Sequence, residues 1–236
     1  MARASANFLL QAAALARMSG FSPTSAADLG LGADDLANVL LDLNQGYEEA
    51  YNWQNTSWED AWEDATITPG ANGLITYAQL SDAAQFCLWS ADPRIVKSAS
   101  VLVYRSSNDG VHVPDWTGDL FAFFKPAAPV FTFEAWSGVT AYAAGRIVLA
   151  TDGQCYRALQ AGTNQSPLTQ TAYWRVQPLL AVLMKAAQKM ALANKATRDG
   201  NHGEAAKMVK DAGSKLDDQA ELEFPRVSSW WWIRRQ

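Results

Sequence analysis

FEAWSGVTAYAAGRIVLATDGQCYRALQAGTNQSPLTQTAYW, residues 133–174, decides how the rest of the chain is read. Its aromatic and small residues fall in the pattern W-x5-Y-x2-G-x10-Y-x-A-x7-SP-x6-W, carried by Trp136, Tyr142, Gly145, Tyr156, Ala158, Ser166, Pro167 and Trp174. Trp136, Tyr142, Tyr156 and Trp174 bring enough ring area for a small core of their own. The texture changes on both sides: strand-rich sequence precedes the stretch and long amphipathic helices follow it. An inserted, outward-facing module over 133–177 is therefore expected, with a body made of 1–132 and 178–224 around it.

This pattern resembles the small chitin- and cellulose-binding modules of carbohydrate-binding families 5 and 12. The resemblance implies three short strands wrapped around a few aromatics, and a glycan-binding face drawn from Trp136, Tyr142, Tyr156, Tyr173 and Trp174. Trp136 and Trp174 occupy positions that such modules mostly use as core. After the Y-x-A strand, where these modules often place an aromatic platform, this chain has Leu159 and Gln160.

Working towards the N-terminus, residues 5–18 are Ala-rich and set Phe8, Leu9, Ala12, Leu15 and Ala16 on one stripe, with Ser19-Gly20 and Pro23 as the stop. A second helix is predicted where Leu36, Val39, Leu40, Leu43, Tyr47, Ala50 and Tyr51 recur at helical spacing. Asp35, Asn38, Asp42, Gln45 and Glu49 fall opposite them, so the apolar stripe requires a partner helix. Trp53, Trp58 and Trp62 follow among carboxylates and read as core or interface anchors. From there to about 133 the period drops towards two. ATITP, GLITYAQL, SASVLVYRSS, GVHVPDW and GDLFAFFKP read as strands, separated by Pro69-Gly70, Asn72-Gly73, Asn108-Asp109-Gly110 and Thr117-Gly118. The piece DAAQFCLWSADPR fits a strand or a short helical turn equally well.

Towards the C-terminus, Leu180, Leu183, Met184, Ala187, Ala191 and Asn194 form one helical stripe. Ala205, Met208, Val209, Ala212 and Leu216 form another, and the turn 198–201 predicts an antiparallel pair. Pro225 is expected to stop the last helix and leave 225–236 as an extended tail. That tail holds Trp230, Trp231, Trp232, Ile233, Arg234 and Arg235, more aromatic surface than a free end hides locally, and so predicts docking on another chain.

With 236 residues, 49% of them apolar and 18% charged, the chain can bury a substantial core. No run of about 18 apolar residues is present to span a bilayer, and the first twenty residues are unlike a signal peptide, so a soluble, unsecreted product is expected. Cys87 and Cys155 read as buried free thiols. The net charge of −5 conceals a segregation, because no Lys or Arg lies between Arg17 and Arg94 while twelve carboxylates do. Phosphate neutralisation needs cations, so this half is not a nucleic-acid-binding surface; it would repel DNA. Neither His112 nor His202 sits at a metal-ligand spacing, and no phosphate loop, dinucleotide fingerprint or nucleophile elbow occurs. Catalytic groups, metals and cofactors are accordingly not expected. The fold expected is α+β: a helical bundle with an antiparallel β element, plus the small all-β module.

The order of these elements, and above all Leu43, Asn44, Gly46, Tyr47 and Glu49 in LNQGYEEAYNW, resembles the head-tail adaptor proteins of tailed phages. The resemblance covers most of 1–132 and 178–236. It implies a structural virion protein at the neck, assembled in the host cytoplasm. Its partners would be further copies in a homo-oligomeric, dodecameric ring, the portal protein, a tail or stopper protein, and DNA passing without specific binding. The tail residues Trp230 to Arg235 would dock on the portal, and the module could meet a host surface glycan. A non-catalytic carbohydrate-binding accessory or fibre protein is the alternative.

Overall fold

A computed structural model describes residues 7–25, 29–53, 63–80, 85–92, 95–114, 116–181 and 183–232, with backbone alone for 219–232 and for Glu63 and Gln85. The class is α+β, and the chain forms two compact units: Met1–Thr56 with Ala128–Leu222, and Ser57–Ala127 with Glu223–Gln236.

The first unit is built on helices α1 (Phe8–Met18), α2 (Ala33–Tyr51), α3 (Met184–Arg198) and the start of α4 (His202–Trp232). The predicted stripes are the buried ones: Phe8, Ala12, Leu15 and Ala16 on α1, and Val39, Leu43, Tyr47, Ala50 and Tyr51 on α2. The partner that α2 requires is α3, and small residues set their crossing. A Cβ on Gly46 would stand 2.4 Å from the Ala187 carbonyl oxygen and 2.6 Å from the Ala191 amide nitrogen, so only glycine admits this approach. Leu180 and Leu183 are buried as expected, but helical geometry begins only at Met184. Antiparallel packing of α3 and α4 follows from Ala193 and Ala196 against Ala205 and Met208, with the Lys189–Asp211 ion pair a turn or two further on.

One expectation fails at the end of α4. The backbone stays helical through Pro225 to Trp232, so 225–232 is not extended. Proline removes one backbone donor, but its fixed φ is itself helical, and DDQAELEF before it is rich in helix formers.

The 133–177 segment holds β7 (Ala141–Tyr142), β8 (Ile147–Leu149), β9 (Cys155–Ala158), β10 (Gly162–Thr163) and β11 (Trp174–Val176). They pair antiparallel as a three-stranded sheet, β11-β9-β8, and a two-stranded ribbon, β10-β7. This module falls in the same compact unit as the helices. The reason lies in α1. Its N-cap Asn7 accepts from the Leu10 amide and donates to the Asp152 carbonyl at 2.8 Å, and the Leu9 amide donates to Gly153. A turn of the module thus satisfies the Leu9 donor that the helix start leaves open and holds the side chain that caps the next one. Phe8 adds ring contacts to Phe131 and Phe133, with centroids 5.4 and 5.2 Å apart.

The second unit contains β1 (Glu63–Ile67), β2 (Leu74–Thr76), β3 (Gln85–Trp89), β4 (Arg105–Ser106), β5 (Gly110–His112) and β6 (Leu120–Lys125) in two antiparallel sheets, β1-β6-β3 and β2-β5-β4. The ambiguous piece around Phe86 is a strand. The central strand β6 explains its unbroken apolar run: Leu120, Ala122 and Phe124 enter a core with Ile67, Ile75, Leu80, Leu88, Val111 and Val113, while Phe121 turns to the other face with Cys87 and Trp89. The PGANG turn needs Gly73 at φ +71, where a Cβ would meet the Val113 carbonyl oxygen at 2.1 Å. Most of SASVLVYRSS is irregular, with a single bridge from Val101 to Trp89 before the two residues of β4.

Candidate functional site

The residues that carry the adaptor resemblance converge on one node along α2. Asn44 uses its whole amide: Nδ2 donates to the Phe131 carbonyl at 3.1 Å, and Oδ1 accepts from the Phe131 amide at 2.8 Å. Three residues on, the Tyr47 hydroxyl accepts from the Leu180 amide at 2.9 Å and donates to the Pro178 carbonyl. Burial pushes its phenol above the ordinary tyrosine range, so it remains a donor at any physiological pH. Phe131 precedes the module and Pro178 follows it. The helix therefore holds both ends of the insertion from adjacent turns, with Gly46 between them seating α3.

Glu49 accepts from Asn194, and desolvation raises its carboxyl above the usual range. Asp42, expected on the polar face, is buried and receives both guanidinium nitrogens of Arg198, one of them at 2.8 Å. A fork-to-fork pair of this kind fixes geometry as well as charge. Helical periodicity misses it because position 42 lies at the shoulder of the buried arc. The one readable signal was an aspartate directly before the core residue Leu43.

Arg198 thus answers an acidic residue of its own chain, and Lys189 and Lys195 are tied to Asp211 and Asp199. These three cations of the C-terminal helices are thus paired within the unit. Trp53, half-buried at the end of α2, donates to Asp217 at 2.8 Å and lies over Gly213, joining α2 to α4. Trp58 and Trp62 lie outside the described residues.

In the module, the five aromatics named for glycan contact divide in two. Tyr142 and Trp174 are core: their rings meet edge-on at 5.4 Å, the Tyr142 hydroxyl accepts from the Ser137 amide, and the Trp174 indole donates to the Gln165 carbonyl at 2.7 Å. Neither offers a free face for a sugar ring. Trp136, Tyr156 and Tyr173 are half-buried around that core. Tyr156 donates to Asp152 at 2.8 Å, and desolvation, with that hydrogen bond, pushes its hydroxyl up to about 12. Leu159 and Gln160 are exposed, Gln160 turning back to the Ala172 carbonyl. Cys155 is a buried thiol held at about 12 by desolvation, and Cys87 is buried as well.

Trp230, Trp231 and Trp232 lie on the helical backbone of α4, and Ile233, Arg234 and Arg235 lie outside the described residues. Among the described residues no group of three or more His, Cys, Asp or Glu is placed to hold a metal, and no helix is long and apolar enough to cross a membrane. No protein-family model matches the chain, and no curated protein or solved structure is measurably similar to it.

Proposed function

We propose that the protein is a structural virion protein, a subunit of a homo-oligomeric ring that joins the portal of a tailed phage to its tail and forms part of the DNA channel. The observation that carries this reading is the α2 node. The segment that resembles the adaptors, Leu43 to Glu49, is the point from which helices and insertion are both held. A bundle that grips an added module by its two ends keeps its own helix crossings intact and can carry the module on a ring.

Charge supports the same reading: between Arg17 and Arg94 the chain carries twelve carboxylates and no Lys or Arg. A surface of this sign repels the phosphate backbone, and passage without adhesion is what a DNA channel requires. The portal would take Trp230, Trp231, Trp232 and Ile233 as anchors, with Arg234 and Arg235 at the rim. Mass spectrometry of purified particles tests the proposal, combined with truncation after Pro225. The full chain is expected in particles, and the truncated chain, supplied folded as judged by circular dichroism, is expected to stay out of necks. A chain absent from particles, or a truncated one incorporated at the full level, would overturn it.

A further inference from the structure

We infer that copies of this chain associate head to tail, the exposed apolar and basic segment 95–105 of one copy seating on the acidic outward face of α2 of the next. This rests on the ring reading and names the surfaces that would make the ring.

The first surface is a helix face. Asp34, Asn38, Leu41, Gln45 and Glu48 follow one another at i, i+4, i+7, i+11 and i+14, so they share a side of α2, and all are exposed. Leu41, at the middle, is 46% exposed, with carboxylates towards both ends of the face. The second surface is IVKSASVLVYR, residues 95–105. Leu102 packs against the core of its unit and its amide donates to Leu88, so Val101 and Val103 on either side point outward. Ile95 is 79% and Val103 84% exposed, flanked by exposed Lys97 and Arg105. Apolar side chains left open to this degree along one segment mark a contact surface.

The occupant follows from charge. Segment 95–105 has two cations and no anion, and the α2 face carries Asp34 and Glu48, with Asp35 beside it, and no cation. Like surfaces repel, so neither patch is suited to pairing with itself, whereas each supplies what the other lacks: an apolar centre between charges of opposite sign. Dimensions agree as well. From Asp34 to Glu48 the helix face runs about 21 Å, and residues 101–105 span at most about 13 Å, so the Val101 to Arg105 part of the segment fits within the face. Two different surfaces on one chain make a heterologous contact, which closes into a ring when the rotation allows and otherwise extends as a filament.

Single added cysteines test this, since Cys87 and Cys155 are both buried. Leu41→Cys and Val103→Cys chains, each folded by circular dichroism, are treated with a short bismaleimide alone and mixed. The expected result is a covalent dimer in the mixture only, and a ladder from the chain bearing both changes. Lys97→Glu with Arg105→Glu should weaken self-association in sedimentation by about tenfold at low salt. Asp34→Lys and Glu48→Lys in the same chain should restore it. Dimers from Val103→Cys alone, association without any 41-to-103 link, or a monomer at every concentration would each overturn the inference. Particle incorporation without the link leaves the virion role standing and removes this interface. The link without incorporation does the reverse.

Discussion

In the unit made of residues 1–56 and 128–222, polar side chains tie distant parts of the chain together at chosen points: Asn44 and Tyr47 hold backbone at Phe131, Pro178 and Leu180, and Asp42 holds the Arg198 side chain. The sheet unit of residues 57–127 is held differently. Its core is apolar on both faces of β6, and side-chain bonds such as Thr68 to Asp119 or Tyr77 to Ser107 serve its turns. The contrast shows what each arrangement is suited to. Apolar alternation builds a sheet that needs no specific partner, whereas gripping an inserted module at both ends requires groups that recognise backbone.

That difference can be broken most severely at Gly46. Gly46→Val puts methyl groups into the backbone of α3, which cannot move aside, and should cost the helical unit about 3 kcal/mol. Urea unfolding followed by helical circular dichroism would show it, and a loss below about 1 kcal/mol would mean that the crossing is looser than described.

Next comes Asn44→Ala, which strips both Phe131 backbone groups of their partner and should cost about 2 kcal/mol. Tyr47→Phe removes one hydroxyl and should cost about 1 kcal/mol. Both should lower the midpoint of the helical unit while the transition of the sheet unit stays in place. Equal shifts in both transitions would erase the distinction drawn here.

The smallest effect sharpens the comparison from the other side. Lys125 is buried at the end of β6, and desolvation pushes its ammonium down to about 8 from an ordinary 10.5. The unfolded chain therefore binds this proton more tightly, and folding is penalised at all pH values below about 8. The penalty fades as pH rises from about 8 to 10.5. Lys125→Met should stabilise the sheet unit by roughly 1–2 kcal/mol at pH 7, with the gain shrinking through that window. A gain that does not change between pH 7 and 10 would remove burial of charge as its cause.

The helices were legible because their stripes are long: four or more buried residues at period 3.6 on α1 and α2 leave little choice of face. The strands around Ile75 and Val111 were legible from alternation and from the turns at Asn72-Gly73 and Asp109-Gly110, and that around Phe124 from its short apolar run after Thr117-Gly118. What the sequence concealed was the relation between distant pieces. Nothing at Asn44 or Tyr47 names Phe131 or Leu180, because a side-chain amide or hydroxyl bonds any backbone that folding brings to it. For the same reason the module read as detachable, although its 152–153 turn caps α1. Pro225 misled for a local reason, since its fixed φ is itself helical and the residues before it favour the helix. Of the proposed glycan residues, Tyr142 and Trp174 were named for their rings, and the rings turned out to be needed by the core.

Electron microscopy of necks isolated from particles, labelled with antibody against residues 133–177, tests the central claim most directly. The account predicts a closed ring between portal and tail with one label for each subunit position. Label confined to fibres or to unassembled protein, with bare necks, would contradict it.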